Sequence, residues 1–293
     1  MILYILYRIA QFLVITLPLK IAYRLGTSIA DLQFLISKKD RALLINNLKS
    51  ACNKSEEESR HSARAILRNF AKYLVEFLRF ARMGRDYIQK NVKIEGLDNL
   101  KKALELKKGA IVFSAHLGNW EWGAAILAQL GFPVNVIALA HKDRNVNNFF
   151  INQRAIKGVK NIPLGGSVRK SLKLLSKNEI IGILSDRDFS NNSVPVNFFG
   201  KTALMPIGIG VLAIMSGSPL IPVFIVREKG NTYKYLIGDP IEYTISGNKE
   251  NDIKEIVQKS IKSTEKYIRL YPEQWFMFDD PWKSKKVNPC GVK

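Results

Sequence analysis

Cysteine is nearly absent from this 293-residue sequence. The two present, Cys52 and Cys290, lie far apart and have no metal-type spacing. That excludes a disulfide framework or a zinc cluster as the source of stability and fits a reducing compartment. Histidine is also scarce, with His61, His116 and His141 the whole complement. No G-x-S-x-G stretch exists to build a serine nucleophile elbow, and Gly165-Gly166-Ser167 reads instead as a helix start. Acidic residues are outnumbered, 25 against 45 Lys and Arg, for a formal net charge of +20.

A surplus of that size is drawn to polyanions. Nucleic acid is one candidate, but neither zinc-finger spacing nor an RNP-type aromatic segment is present. The other candidate is an anionic membrane leaflet, where each basic residue adds roughly 1 kcal/mol. The N-terminus favours the membrane. Residues 1–19 read MILYILYRIAQFLVITLPL, with Arg8 the only charge and apolar residues on all sides of a helix. Basic residues before the apolar run and a small-residue cleavage site are both missing, so the segment does not read as a signal peptide. Near the minimum spanning length, it either crosses a bilayer or lies in it as a monotopic anchor.

With 47% hydrophobic residues spread along its length, the chain can bury a substantial core. Helical spacing continues through residues 21–36, 42–51 and 55–83, the last opening on Ser55 with an acidic first turn. Residues 1–85 are therefore expected to form N-terminal membrane-anchoring and packing helices. From about Val92 short apolar runs alternate with helical stretches. Strands are predicted at 110–114, 134–139, 179–185, 220–226 and 233–237, and helices at 123–130, 146–156, 167–175, 205–215 and 250–270. This alternation predicts an α/β domain over 86–293, with a central, largely parallel mixed sheet flanked by helices and continuous with the N-terminal section.

The chemistry concentrates in Ser114-Ala115-His116-Leu117-Gly118-Asn119-Trp120-Glu121. His116 follows a buried strand, at the sheet end where open α/β sheets place ligands. Gly118 and Asn119 suit a turn and a helix cap, which puts Glu121 in the first helical turn and lets it meet His116. A carboxylate beside an imidazole sets its tautomer, and the other nitrogen can take a proton from a hydroxyl. Such a pair activates an external alcohol without an enzyme nucleophile.

His116-x4-Glu121 resembles the HX4D/E motif of the lysophospholipid acyltransferase superfamily, most closely its lipid A secondary (lauroyl/myristoyl) acyltransferase branch and the related phosphatidylinositol mannoside acyltransferases. Further blocks follow in order: Arg41 with Asn46-Asn47-Leu48, Asp186-Arg187-Asp188, Val196-Asn197-Phe198-Phe199-Gly200 with Met205-Pro206, and Pro272-Glu273-Gln274-Trp275. The resemblance implies a glycerol-3-phosphate acyltransferase-like fold, His116 as general base and Glu121 as its partner. It also implies an acyl carrier protein or coenzyme A thioester as donor, no cofactor or metal, and attachment to the cytoplasmic face of the inner membrane. The acceptor it implies is a lipid A precursor or a related anionic glycolipid or phospholipid.

Substrate-binding candidates are Arg144 and Lys142 after the second strand, Asn119, Asp186, Arg187, Asp188 and Lys201. Arg187 also reads as a structural ion-pair partner between its two acids. Two acids are too few for an oxygen-ligand metal site. After Trp275 the sequence reads Phe276-Met277-Phe278-Asp279-Asp280-Pro281-Trp282, without the basic HRRW-like run of many lipid A enzymes. That departure and the Asp-Arg-Asp block lean toward the mannoside acyltransferases. A thioesterase or esterase using the same base with water, and a non-enzymatic basic membrane-binding protein, are the rival readings.

Overall fold

The computed structural model describes residues 2–189 and 192–283. Four helices open the chain: α1 (Ile2–Thr16), α2 (Leu19–Ile36), α3 (Lys38–Cys52) and α4 (Glu56–Leu78). Ser55 and Glu58 close a reciprocal capping box at the start of α4, as the acidic first turn foreshadows. Among the described residues no helix is long and apolar enough to cross a membrane. Helices α1 and α2 do leave large apolar side chains in the open, including Leu6, Phe12, Ile29 and Leu32.

The α/β body follows in chain order as α5 (Arg85–Asn91), β1 (Val92–Glu95), α6 (Leu97–Glu105), β2 (Ala110–Ser114), α7 (Trp120–Gln129), β3 (Val134–Ala138), α8 (Arg144–Ala155), β4 (Lys160–Pro163), α9 (Ser167–Leu175) and β5 (Ile180–Leu184). A hairpin, β6 (Ser193–Phe198) and β7 (Lys201–Pro206), precedes α10 (Gly208–Ser216), β8 (Leu220–Arg227), β9 (Tyr233–Ile237) and α11 (Lys249–Leu270). Seven strands form one sheet in the order β1-β9-β8-β2-β5-β3-β4. Every neighbouring pair is parallel except β8 with β9, so the sheet is mixed and largely parallel, in line with the sequence reading. The central run Ala110-Ile111-Val112-Phe113 is apolar throughout because helices cover both faces.

The predicted helix at 205–215 is corrected. Met205 pairs with Val194 in the hairpin, Pro206 ends the strand, and the helix begins only at Gly208. Cross-strand pairing from Ser193–Pro206 to Phe198–Lys201 outweighs local helical spacing there, as tertiary context routinely does. Strands β1 and β4, of four residues each, are too short to leave a clear period, whereas helix α6 is absent from the predicted elements although Leu97, Leu100 and Leu104 stand at helical spacing. Cys52 is a free thiol, and Cys290 lies outside the described residues.

Candidate active site

The turn between β2 and α7 is clamped from two sides. Gly118 N–H donates to the Gln274 carbonyl at 2.9 Å, Asn119 N–H to the Ile225 carbonyl at 3.0 Å, and Phe276 N–H to the His116 carbonyl at 2.7 Å. Gly118 has φ +65, and a Cβ there would sit 1.9 Å from the Ile225 carbonyl oxygen. Only glycine allows that approach. Asn119 caps α7 by accepting from Trp122 N–H at 3.0 Å, and Glu121 falls in the first turn, as expected from the sequence.

The carboxylate that meets the imidazole is Asp186, not Glu121. His116 Nδ1 lies 2.7 Å from Asp186 Oδ1, and the His116 backbone N–H donates to Asp186 Oδ2 at 3.0 Å. Trp275 Nε1–H adds a third donor to the same carboxylate at 3.2 Å. Strands β2 and β5 are parallel neighbours in register from Ala110–Ile180 to Ser114–Leu184, so the residue two beyond β5 reaches the residue two beyond β2. Burial pushes the Asp186 carboxyl up, but His116 and Arg187 pull harder and hold it below the usual carboxylate range. An ionised Asp186 only accepts, so Nδ1 carries a proton, and in the neutral imidazole that puts the lone pair on Nε2. Trp120 meets the imidazole edge to face at 5.0 Å.

Glu121 is turned to a different partner. Arg154 grips it through two bonds, Nε to Oε2 at 2.7 Å and Nη2 to Oε1 at 2.5 Å. Both side chains are largely buried. Burial alone would lower the Arg154 guanidinium, but Glu121 outweighs it and raises it. His141 also lines this region, and burial followed by the Arg154 charge holds its imidazole below the ordinary value.

His116, Glu121, Trp120, Arg154 and Arg187 all line one cavity of about 1340 Å³, whose remaining wall is mostly apolar. Arg187 Nη2–H donates to the Phe276 carbonyl, which ties the Asp-Arg-Asp block to the C-terminal segment. Asp188 lines a separate pocket of about 440 Å³ with Arg187, Asp279 and Asp280. Lys142 and Arg144 are exposed and are not among the residues lining the large cavity. Lys201 is spent elsewhere, bonded to Ser50 Oγ at 2.8 Å and set over the Trp282 ring. Asn119 is buried and faces the protein, donating to Glu76 Oε2 at 2.6 Å. Among the described residues no cluster of three His, Cys, Asp or Glu side chains is arranged to hold a metal ion.

The outlying blocks converge here as supports. Asn47 donates to the carbonyls of Met277 and Asp279, and Phe198 packs on Trp275. Glu76 was not anticipated. It is completely buried and gathers Tyr23, Asn119, Tyr233 and Arg227 around one carboxylate. A lone acid in the apolar run Tyr73-Leu74-Val75-Glu76-Phe77-Leu78 is the signal for such a group, since buried acids need partners. Arg154 leaves no comparable trace in the sequence.

The sequence profile of bacterial lipid A biosynthesis acyltransferases matches residues 1–284. The chain is 29% identical over 223 residues to the phosphatidylinositol mannoside acyltransferase of Mycolicibacterium smegmatis, covering 75% of this chain and 71% of that protein. It is 24% identical over 288 residues to the lipid A biosynthesis lauroyltransferase of Escherichia coli, covering 96% and 90% respectively. The palmitoleoyltransferase of the same bacterium is 24% identical over 283 residues, covering 95% and 90%.

Proposed function

Because the chain belongs to the bacterial lipid A biosynthesis acyltransferase family and is an O-acyltransferase, we propose that it moves a fatty acyl chain from a thioester donor to a hydroxyl of a glycolipid, with His116 as the base. The observation that carries this reading is the bond from His116 Nδ1 to buried Asp186 at the rim of a large apolar cavity. Nε2 of His116 takes the proton from the acceptor hydroxyl as that oxygen attacks the thioester carbonyl. The tetrahedral carbon then expels the thiolate, which recovers the proton from the imidazolium. An ester and a free thiol result. Asp186 keeps the imidazole in the right tautomer and steadies its positive charge between the two steps. Glu121 acts as the second carboxylate of the site by holding Arg154 at the cavity wall.

The donor is an acyl carrier protein or coenzyme A thioester, and the net charge of +20 suits either acidic carrier. The acceptor is a lipid A precursor or a phosphatidylinositol mannoside, after the relatives of greatest coverage and greatest identity respectively among those described. Docking on the cytoplasmic face of the inner membrane falls to α1 and α2, whose exposed apolar side chains lie beside Arg8, Lys20 and Arg24. Arg144 and Lys142, outside the cavity, are assigned to the anionic head groups of that surface.

The test is mass spectrometry of products from purified protein, acyl carrier protein and coenzyme A thioesters, and a panel of lipid A precursors and mannosides, with His116→Ala alongside. A lipid gaining one acyl mass with the wild type alone supports the reading. Release of free fatty acid with every acceptor present would replace it with a hydrolase.

A further inference from the structure

The cavity at His116 reaches both faces of the sheet. Val112, Gly182 and Val136 stand side by side on β2, β5 and β3, on the face covered by α7. The next residue on each strand, Phe113, Ile183 and Ile137, points to the opposite face, toward α9 and α10. All six line the same space. The two faces belong to separate apolar clusters that the sheet otherwise keeps apart.

The sheet opens because β3 and β5 part company. Their pairing ends at Val136–Gly182, whereas β3 continues beside β4 to Ala138 and β5 continues beside β2 to Leu184. Beyond that point the chain leaves β3 toward α8 and leaves β5 toward the β6–β7 hairpin, and such a divergence of successive connections is where open sheets form a crevice. Gly182, Ile183 and Leu184 are accordingly only half-buried, although β5 has a strand on either side.

The two arms end differently. Under α7 the space closes against Leu127, Val134 and Tyr235, all fully buried, and is kept open by Gly123 and Gly182, which place no side chain in it. On the other face it runs between α9 and α10, past Val168, Leu172 and Leu212, to Met215, which is 55% exposed. One arm is blind and the other reaches solvent. A volume of about 1340 Å³ exceeds the roughly 300–1,000 Å³ of ordinary small-ligand pockets.

We infer that the fork seats two acyl chains at once, the donor's chain in the blind arm and a chain of the acceptor in the open arm. This rests on the acyl transfer proposed above. A blind apolar arm limits chain length and shelters the whole tail from water, as a thioester delivered by a water-soluble carrier requires. An open arm sets no such limit and suits the chain of a lipid whose head group lies at His116.

The probe is palmitic acid, counted on the intact protein by native mass spectrometry. The wild type is expected to hold two molecules, Leu127→Trp or Gly182→Leu one, Leu172→Trp or Val168→Trp one, and a variant carrying one change in each arm none. Circular dichroism identifies any variant that fails to fold, and each arm has two. Turnover then assigns the arms, using acyl-coenzyme A of increasing length with a diacylated phosphatidylinositol mannoside. Blind-arm variants should prefer a donor about two to four carbons shorter, because the added bulk consumes depth. Open-arm variants should keep the donor profile and raise KM for the acceptor about tenfold. A single palmitate on the wild type, or loss of both from either arm's variants, would overturn the fork. Two bound palmitates without transfer to any acceptor would instead overturn the acyl-transfer reading, and transfer with one palmitate bound would do the reverse.

Discussion

Asp186 receives both the side chain and the backbone N–H of His116, so one buried carboxylate fixes the imidazole's tautomer and the turn that carries it. The two residues are seventy positions apart and meet because β2 and β5 are parallel neighbours. The first consequence concerns Asp186→Asn. The amide offers an N–H where a carboxylate accepted, and the imidazole loses its charge partner. Acyl transfer should fall about 10²- to 10⁴-fold with the fold retained. Steady-state rates with circular dichroism check this, and a near-normal rate would remove Asp186 from the mechanism.

The same carboxylate makes stability sensitive to acid. Its folded pKa lies below the unfolded value, so its contribution is complete above the unfolded value of 3.8 and is lost as pH falls through the lower folded value. Urea unfolding below pH 4 should therefore show a shallower loss of stability with acid in Asp186→Asn than in the wild type. Parallel profiles would mean that the carboxylate's ionisation is not linked to folding.

Glu121 and Arg154 form a buried two-bond pair. Glu121→Leu leaves the guanidinium without its partner and should cost about 3–5 kcal/mol. Changing both, Glu121→Met with Arg154→Met, should restore most of that stability while acyl transfer stays low. Urea denaturation of the two singles and the double resolves the coupling, and strictly additive losses would contradict it.

Gly118→Ala tests the clamp on the turn. The left-handed backbone costs about 1–3 kcal/mol, and the new methyl meets the Ile225 carbonyl, which cannot move without distorting β8. Gly131→Ala is the control, since Gly131 has φ +97 with open space around its Cβ position. The Gly118 variant should lose more thermal stability than the control and should lower kcat more than it raises KM. Equal shifts in Tm would show that the clash is relieved.

Leu6→Glu with Phe12→Glu places two charges on the exposed face of α1. Burying side chains of this size is worth about 1.5–3 kcal/mol each, so affinity for anionic vesicles should drop more than tenfold in a flotation assay. His116→Ala should float as the wild type does. Unchanged flotation of the α1 variant would assign membrane docking to another surface.

Much of the fold is written locally. Ser55 and Glu58 announce α4, Ala110 to Phe113 announce a strand buried on both sides, and Asn119 announces the cap of α7. These features depend on residues within a turn or a strand of one another, so periodicity and capping chemistry suffice. His116 is equally legible, as a rare histidine in a polar turn after a buried strand, and the ordered blocks around it point to acyl transfer before any geometry is known. What they do not reveal is their purpose. The Gln274 carbonyl clamps the turn, Asn47 holds the Met277 and Asp279 carbonyls of the C-terminal segment, and Lys201 bonds to Ser50 rather than lining the cavity.

The choice between Asp186 and Glu121 as the imidazole's partner could not be made from spacing. Glu121 is five residues away and permitted by the turn, whereas Asp186 becomes a neighbour only through the strand order β2-β5-β3. The same order opens the sheet, because β3 and β5 separate after Val136 and Gly182 and let one cavity reach both faces. Local propensity reports on the few residues that share a helical turn or a hairpin. Pairing between distant strands is settled by the joint burial of many side chains, so the contacts it creates belong to the folded chain as a whole.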